Sequence, residues 1–348
     1  MKASLVPFRL RPQRLTGDPL PSPRDVVAHL GGVQSQDHGM SLWSVGRRCG
    51  ATMDEVEASF ARAEFVRTHV LRTTWHHALA SDLTDLLEVT APRLERLIAT
   101  GNRAVKLSEK HMHDGADVVA AAVTADGPLT RRELAERLEA AGFEHVGVPL
   151  VHIVMYAEIT GLIVSGPVRG KQHTYVTADL PPSRRSPDER LAWIAHTFAR
   201  GHGPIQARDL SWWTSLTLTQ ARQAIELSDL RPVEIDGQEY FADHEPEAVE
   251  VPRALLLSNF DELISYVRDP SDHAHLGDEY LVIMRAGGLL FVDGRLSGSW
   301  TRSLRRSDVE ISVRSAVPLG ATVRRAIESE AEAFGTFCDR TPRLEILS

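Results

Sequence analysis

Cysteine is almost absent from this sequence of 348 residues, which contains only Cys49 and Cys338. Two cysteines so far apart form neither a disulfide framework nor the paired spacing of a zinc site. Since cysteine-poor chains without disulfides are typical of the cytoplasm, we expect a cytoplasmic protein. No apolar run approaches the roughly 20 residues that a membrane-spanning helix needs, so no membrane association is expected.

The short motifs of several large enzyme classes are also missing. The sequence has no P-loop, no Gly-x-Ser-x-Gly turn, no His-Glu-x-x-His motif and no Cys-x-x-Cys pair. His111-Met112-His113 is the nearest approach to a metal motif, but the Asp114-Gly115 that follows it is typical of a loop, and the ligand set is incomplete. We therefore predict neither a metal site nor a cofactor.

An overall excess of basic charge is lacking as well, since the formal net charge is −8. The acidic excess is local: residues 1–110 carry a net charge of +3, residues 111–250 carry −9 and residues 251–348 carry −2. Binding to a polyanion depends on the local field rather than on the total charge. The charge distribution therefore neither predicts nor excludes a complex with nucleic acid.

The clearest architecture in the sequence lies in residues 113–179. A helix is predicted over Ala116–Ala125, a second helix begins at the capping box Thr130-Arg131-Arg132-Glu133, and a third covers Val148–Thr160. Two short strand-like runs follow them: Leu162–Val164 and Thr174–Val176. Three helices followed by a two-stranded wing is the order of a winged helix-turn-helix module.

Residues 184–245 repeat this order after a proline-rich linker. Three predicted helices are followed by two strand-like runs around the tight-turn signal Asp236-Gly237. The parallel positions of Asp126-Gly127-Pro128 and His202-Gly203-Pro204 support an internal repeat. Residues 1–112 are predicted to form a third, divergent winged helix.

The pattern changes at residue 250 to apolar, strand-like runs and one long helix, predicted over Ala321–Ala333. The runs are Leu255–Leu257, Leu281–Met284, Leu289–Val292, Glu310–Val313 and Leu344–Leu347. They predict a β-rich C-terminal module over residues 250–348. The whole chain is accordingly predicted to be an α+β protein of several modules.

The run Gly31-Gly32-Val33-Gln34-Ser35-Gln36-Asp37 places two glutamine amides one residue apart. A primary amide is neither a nucleophile nor a general base near neutral pH, but it donates and accepts hydrogen bonds at once. A pair of amides is therefore able to hold a water molecule or the polar edge of a ligand. The same pair is also typical of a solvated surface, and the pattern alone leaves both interpretations open.

A second polar motif lies in a strand-like run over Thr68–Leu79. If this run is a strand, alternation directs Arg72, Thr74 and His76 to one face. A guanidinium, a hydroxyl and an imidazole together suit a phosphate or the edge of a base. An exposed strand face with unrelated polar residues explains the pattern equally well.

Three further features each have two interpretations. Arg295, beside the turn Asp293-Gly294, belongs either to a probe for a DNA groove or to a plain hairpin. Asp261-Glu262 is either a paired-carboxylate acid or base, or the first turn of a helix. Trp212-Trp213 favours core packing over a stacking surface.

Taken in order, these motifs resemble those of the AlkZ-like DNA glycosylases, which belong to the winged-helix superfamily, and the resemblance covers nearly the whole chain. The motifs that carry it are Val33-Gln34-Ser35-Gln36, Arg72-x-Thr74-Trp75-His76, Gly203-Pro204 with Asp209-x-x-Trp212-Trp213, Phe260-Asp261-Glu262 and Val292-Asp293-Gly294-Arg295.

The resemblance implies tandem winged helices in a C-shaped arrangement around duplex DNA, with Gln34 and Gln36 as the catalytic pair of a monofunctional glycosylase. The implied substrate is double-stranded DNA with a bulky N7-alkylated purine, including interstrand crosslinks, and the chain is expected to act as a monomer. Some members have Asp at the second position. This chain has Gln at both positions, which places it nearer the antibiotic self-resistance branch. The residues predicted to support or contact DNA are Arg72, Thr74, His76 and Arg295.

The alternative is a non-catalytic winged-helix protein, either a transcriptional regulator or a drug-sequestering binder. Such a protein binds DNA or a free natural product without releasing a base. A regulator is expected to have a basic recognition helix, whereas Val148–Thr160 contains no Lys or Arg. This counts against a regulator for the central module and leaves a sequestering protein open.

Overall fold

The structure, a computed structural model, describes residues 5–104, 107–143, 147–267 and 269–347, apart from the side chains of residues 101–104 and 148. The chain divides into two compact units. The first unit consists of Met1–Ala58, His196–Asp209 and Asp229–Ser348, and the second of Ser59–Ala195 and Leu210–Ser228. Each unit is therefore assembled from separate stretches of sequence.

The α-helices of the described residues are α1 (Val6–Arg9), α2 (Pro23–Leu30), α3 (His38–Cys49), α4 (Met53–Ala61), α5 (Ala80–Ala104), α6 (Glu109–Asp126), α7 (Arg131–Ala140), α8 (Gly147–Ile159), α9 (Pro187–His202), α10 (Ala207–Thr214), α11 (Leu218–Leu227), α12 (Glu279–Met284) and α13 (Ala321–Cys338). Short 3-10 helices cover Glu262–Ile264, Pro270–Asp272 and Ala274–Leu276. Within the described part of the chain, no helix combines the length and the apolar character needed to cross a membrane.

The strands are β1 (Val33–Gln34), β2 (Val66–His69), β3 (Trp75–Ala78), β4 (Leu129–Thr130), β5 (Ile163–Arg169), β6 (Gln172–Thr177), β7 (Arg231–Ile235), β8 (Gln238–Ala242), β9 (Ala254–Ser258), β10 (Gly288–Val292), β11 (Arg295–Leu304), β12 (Asp308–Ser315) and β13 (Thr341–Leu347). Helices and strands are both well represented, which confirms the predicted α+β class.

The second unit contains the elements predicted for the central winged helix, in the predicted order. Its strands are hydrogen-bonded as β3–β2–β5–β6–β4, all antiparallel. The capping box is present, since Thr130 and Glu133 satisfy each other's backbone amides at the start of α7. A core of apolar residues from α6, α7, α8 and the hairpin β5–β6 holds these elements together, for example Val119, Leu134 and Ile153.

Helix α6 begins earlier than predicted, at Glu109 instead of Ala116. Asp114 and Gly115 therefore lie in a helix, and the prediction of a loop there is wrong. The helix starts at Glu109 because the Ser108 hydroxyl accepts a hydrogen bond from the His111 N–H at its first turn. Gly115 lies inside the helix against Ile153, in a position where a Cβ atom would approach that side chain to 2.8 Å. Close packing therefore explains a glycine that the sequence pattern assigned to a loop.

The order α9, α10, α11, β7, β8 along the chain is likewise the order predicted for residues 184–245. β7 and β8 pair as an antiparallel hairpin around Asp236 and Gly237, both of which have a positive φ. The sequence of elements is consistent with tandem winged helices. The predicted boundaries of the modules, at residues 112, 179, 184, 245 and 250, stay predictions.

The C-terminal part of the first unit is a five-stranded sheet in the order β13–β12–β11–β10–β9, with α13 packed against it. β12 and β13 are parallel, and the other pairs are antiparallel. Phe334 of α13 contacts the rings of Trp43 and Trp300 edge-on, at centroid distances of 5.2 and 4.9 Å. Four of the five predicted apolar runs form strands of this sheet.

The prediction of a strand for the fifth run, Leu281–Met284, is wrong, because these residues belong to helix α12. Ile283 is buried while Leu281 and Val282 are exposed. A short apolar run fits a strand and a helix equally well by periodicity alone, so tertiary packing decides between them.

Candidate active site

The Gln-x-Gln segment lies between two helices whose ends fix its path. α2 ends at Leu30 and is followed by Gly31, which has a left-handed φ of +73° that favours glycine. At the other end Asp37 caps α3, because its carboxylate accepts a hydrogen bond from Met40 N at 3.1 Å. Between these points Gln34 is buried, whereas Gln36 is exposed. The two glutamines therefore have different environments, and Gln36 has the more accessible side chain.

A buried glutamate holds the backbone of this segment. Glu262 Oε1 accepts a hydrogen bond from the Gln34 backbone N–H at 2.8 Å, and Glu262 Oε2 lies 3.0 Å from His202 Nε2. The side chains of Glu262 and His202 are completely buried. Because a carboxylate is costly to bury unless it is hydrogen-bonded, these contacts are interdependent. Together they fix the position of Gln34 within the first unit.

The neighbouring carboxylate, Asp261, has a separate set of partners. Its oxygens accept hydrogen bonds from Arg48 Nη2 at 2.7 Å, from Arg48 Nη1 at 3.0 Å and from the Ser44 hydroxyl at 2.8 Å. Asp261 also caps the 3-10 helix by accepting from Leu263 N. Burial by itself raises the pKa of Asp261, but Arg48 and these hydrogen bonds outweigh burial and hold the pKa below its ordinary 3.8.

Asp261-Glu262 therefore forms the first turn of a short helix, which was one of its two predicted interpretations. Both side chains are completely buried and hydrogen-bonded to protein groups. A carboxylate with no exposed surface does not reach a substrate proton, so the pair is not arranged as a general acid and base. Its contribution is to hold the structure around Gln34.

Gln13 and Tyr266 extend this hydrogen-bond network. Gln13 Nε2 donates to the Glu262 carbonyl at 2.9 Å and to the Tyr266 hydroxyl at 2.8 Å, and that hydroxyl donates to the His202 carbonyl at 2.7 Å. Burial raises the pKa of Tyr266, so its hydroxyl keeps the proton that it donates. Arg48 Nε donates to the Gln13 carbonyl at 2.8 Å and joins the two carboxylates through one chain of contacts. Connected buried hydrogen bonds of this kind make a region rigid.

In the second unit, the predicted strand over Thr68–Leu79 is interrupted. β2 ends at His69 and β3 begins at Trp75, so Arg72 and Thr74 lie in the connection between the strands. The prediction that alternation along one strand groups the polar side chains is therefore wrong. A turn groups them instead.

That turn is centred on Leu71, whose φ of +67° lies in the left-handed region. The Arg72 N–H donates to the Val70 carbonyl at 2.7 Å, which closes a three-residue γ-turn. A residue other than glycine is strained in such a conformation by about 1–3 kcal/mol. The side chain of Leu71 is completely buried, and burial of a leucine stabilises a fold by about 1.5–3 kcal/mol. Packing of Leu71 therefore holds the turn in its strained form.

The turn brings Arg72, Thr74 and His76 together. His76 Nδ1 lies 2.9 Å from the Thr74 carbonyl, and His76 Nε2 lies 3.2 Å from Arg72 Nη2. Because a carbonyl only accepts hydrogen bonds, Nδ1 carries the proton and Nε2 accepts from Arg72. Thr74 thus contributes through its backbone rather than its hydroxyl in this contact. The grouping is observed, and its role in binding DNA stays a prediction.

The adjacent Trp75 of the same motif is held by a buried acid. Trp75 Nε1 donates to both oxygens of Glu158, at 3.2 and 3.3 Å, and His69 Nδ1 is hydrogen-bonded to the same carboxylate. The guanidinium of Arg67 lies 4.4 Å from the centre of the Trp75 ring. These contacts fix the ring.

No three His, Cys, Asp or Glu side chains among the described residues are grouped as metal ligands would be.

Arg295 lies at the start of β11, directly after the hairpin turn. Asp293 and Gly294 have φ values of +49° and +75°, as a tight two-residue turn requires. Arg295 Nη2 lies 3.3 Å from His275 Nδ1, and His275 Nε2 lies 2.9 Å from the Leu296 carbonyl. The predicted hairpin is confirmed and Arg295 is exposed on it. Its contact with DNA stays a prediction.

Arg48, His202 and Gln13 support the Gln-x-Gln segment but were not predicted from the sequence. The available signal was Asp261-Glu262, since two acids directly after a buried apolar strand need partners. Arg48 is completely buried in α3 although it follows another arginine, and the sequence does not show which of the two turns inward.

The comparison with protein families matches residues 27–337 to the family described as DNA glycosylase AlkZ-like. Among solved structures, that of Streptomyces sahachiroi DNA glycosylase AlkZ is similar, with a TM-score of 0.76 and 22% sequence identity, and the match covers 100% of both chains. At this identity the structural likeness shows a shared fold. The comparison with curated proteins gives no match.

The family match extends over most of the sequence and includes the Gln-x-Gln segment, the turn that carries Arg72, and the hairpin that carries Arg295. It favours an enzyme over the non-catalytic alternative. The chain belongs to the AlkZ-like family and is a DNA glycosylase, an enzyme of DNA repair.

Proposed function

We propose that this glycosylase excises bulky, cationic N7-alkylated purines from double-stranded DNA, including those in interstrand crosslinks, and that it acts as a monomer. Gln34 and Gln36 orient the water that attacks C1′ of the lesion. Arg72, Thr74, His76 and Arg295 contact or support the DNA. The natural setting is self-resistance to a genotoxic product or the repair of alkylated DNA.

The chemistry of the amide supports this choice of substrate. Alkylation at N7 gives the purine a positive charge, so the base leaves without protonation by a strong acid. The enzyme then has mainly to place a water molecule and to stabilise the oxocarbenium-like charge of the sugar. Two amides provide hydrogen bonds for both purposes but no strong base. This pair is therefore suited to a leaving group that is already activated.

The observation that carries the proposal is the fixed position of the Gln-x-Gln segment. Glu262 holds the Gln34 backbone at 2.8 Å, and Gly31 and Asp37 define the two ends, while the side chain of Gln36 is exposed. A hydrogen-bonding group lowers a barrier only when it is oriented before the reaction. A rigid backbone that carries an accessible amide meets this condition.

The distribution of lysine supports direct hydrolysis. A glycosylase that also cleaves the strand forms a Schiff base, for which a lysine amine is the usual nucleophile. The sequence from Ala3 to Val105, which includes the Gln-x-Gln segment, contains no lysine. We accordingly expect an intact abasic strand as the product.

The Gln34→Ala and Gln36→Ala proteins test this mechanism. Each is expected to lower the rate of base excision by about 100-fold, the size of effect seen when an oriented hydrogen-bonding group is removed. The rate is measured as abasic-site formation on an N7-alkylated duplex under single-turnover conditions, with the enzyme in excess. Affinity for the same duplex is measured in parallel and should change little.

Gln223→Ala is the matched control, since it makes the same chemical change at an exposed position on α11. It should excise the base at the wild-type rate. If both Gln34→Ala and Gln36→Ala were as fast as this control, the water-orienting role would be rejected. A Schiff-base adduct trapped with borohydride would contradict direct hydrolysis.

A panel of alkylated duplexes tests the class of lesion. We expect excision of a bulky intercalating N7 adduct to be at least about 10-fold faster than excision of N7-methylguanine, because contacts to the larger group are available to stabilise the transition state. A duplex with an N7-linked interstrand crosslink completes the panel. Equal or faster excision of N7-methylguanine would indicate general repair and would contradict the preference for bulky lesions.

A further inference from the structure

Two consecutive tryptophans of α10 have opposite environments in the second unit. Trp213 is completely buried, whereas Trp212 is 39% exposed. The guanidinium of Arg72 lies over the Trp212 ring, with its Cζ atom 4.3 Å from the ring centre. Core packing was the favoured prediction for both tryptophans. Trp213 packs in the core, whereas Trp212 has an exposed aromatic surface beside the Arg72 cation.

Arg72 is held in this position by the backbone and by neighbouring groups. The γ-turn at the buried Leu71 sets where the side chain leaves the backbone. His76 Nε2 lies 3.2 Å from Arg72 Nη2, and the Trp213 carbonyl lies 3.5 Å from Arg72 Nη1. A long side chain that is already ordered loses less freedom when it binds a ligand. The strained turn therefore positions the Arg72 guanidinium before a ligand binds.

Another arginine–tryptophan pair of the same unit shows what internal packing looks like. Arg185 lies 4.6 Å from the centre of the Trp193 ring, and its guanidinium is hydrogen-bonded to the buried carboxylate of Asp85. Trp193 is partly buried, whereas Trp212 is exposed. The pair contributes to the fold and serves as a matched control.

The geometry points to Arg72 and Trp212 as a binding site for one unpaired nucleotide of the DNA substrate. The exposed indole surface packs against the base, and the guanidinium binds the adjacent phosphate. Aromatic side chains stack on any base because every base has a π-face, and arginine recognises phosphate with paired hydrogen bonds. A nucleotide whose partner has been removed, or that is displaced by a bulky lesion, offers such a face.

The inference rests on DNA as the substrate, which the family assignment provides. It does not depend on the role of Gln34 and Gln36 in the reaction. Failure of the glutamine variants to slow excision and failure of the tryptophan variants to weaken binding are therefore separate outcomes.

The test compares the affinities of two duplexes for the whole chain of 348 residues. One duplex contains a tetrahydrofuran abasic analogue opposite a thymine, and the other is fully paired. Trp212→Ala is expected to weaken binding of the abasic duplex by about 10-fold, as expected for the loss of one base–aromatic stack, with less than about a twofold change on the paired duplex. Arg72→Gln should lower the slope of log K against log salt by about 1.

Tryptophan fluorescence provides a second measurement, which does not depend on the alanine variant. Binding of the abasic duplex should quench emission in the wild type, and Trp212→Phe should remove a part of this quenching. Trp193→Phe should leave both the affinity and the duplex-dependent quenching unchanged. Wild-type affinity of Trp212→Ala for the abasic duplex, an equal loss on both duplexes, or full quenching in Trp212→Phe would each overturn the proposal.

Discussion

The Asp261→Ala protein is expected to have a free energy of unfolding about 3–5 kcal/mol lower than that of the wild type. The reason is the completely buried ion pair with Arg48, whose guanidinium makes two hydrogen bonds to Asp261, at 2.7 and 3.0 Å. Removal of the carboxylate leaves this cation buried without its counter-charge. Urea unfolding followed by circular dichroism and by tryptophan fluorescence measures the change.

Asp114→Ala is the control, since the carboxylate it removes is exposed and pairs with Lys110 on the surface of α6. An exposed pair of this kind contributes little, so the free energy of unfolding should change by less than about 0.5 kcal/mol. If Asp261→Ala lowered the free energy of unfolding by less than about 1 kcal/mol, Arg48 would have found other partners. The ion pair would then not be a main source of stability in this region.

The same ion pair predicts the direction of the pH dependence. Because the pKa of Asp261 is lower in the folded protein than its ordinary 3.8, the carboxylate stabilises the fold above that value. This stabilisation is lost as the pH falls through the lowered pKa. The stability difference between the wild type and Asp261→Asn should therefore be constant from about pH 6 to 8 and decrease below about pH 4.

The Glu262→Ala protein is expected to excise the lesion about 100-fold more slowly than the wild type, because Gln34 loses the hydrogen bond that fixes its backbone. His202 Nε2 loses its hydrogen bond to the buried carboxylate in the same variant, so the free energy of unfolding should fall as well. Glu262→Gln keeps an oxygen for the Gln34 N–H, and a smaller loss of about 10-fold is expected. Single-turnover rates and DNA affinity are measured well below the unfolding temperature.

Glu330→Ala is the matched control for Glu262→Ala. Glu330 also accepts a hydrogen bond from a backbone amide, Leu256 N at 2.8 Å, and pairs with a cation, Arg47. Its loss should lower stability while the excision rate stays close to that of the wild type. If Glu262→Ala lost stability but excised at the wild-type rate, the fixed position of Gln34 would be unnecessary for the reaction.

The parts of the fold that depend on local contacts were accessible from the sequence. The capping box at Thr130 and Glu133 and the turn at Asp236-Gly237 each involve residues within a few positions of one another. Such signals define the ends of helices and hairpins with little influence from the rest of the chain. The order of elements in the central module followed from such signals, whereas the C-terminal strands were predicted from short apolar runs.

The errors lie where distant contacts decide the conformation. The apolar run Leu281–Met284 is helical, although its composition fits a strand. The γ-turn at Leu71 is unfavourable locally for a leucine, and burial of the side chain is what stabilises it. Local preference cannot reveal a conformation that the rest of the unit imposes.

The candidate site was predicted in part, for the same reason. Gln34 and Gln36 were recognisable as a motif, as were Asp261 and Glu262. The contacts that join them were not, because Glu262 lies 228 positions from Gln34 and Asp261 lies 213 positions from Arg48. A buried acid indicates that a partner exists, and only the fold identifies it.

The distance along the chain between Gln34 and Glu262 has a consequence for biosynthesis. At about 5–20 residues per second, a ribosome takes about 10–45 s to add the 228 residues that separate them. Throughout this interval the nascent chain contains Gln34 without the carboxylate that accepts its backbone hydrogen bond. The hydrogen bond that fixes the Gln34 backbone therefore forms only after Glu262 has been synthesised, long after the segment that carries the glutamines.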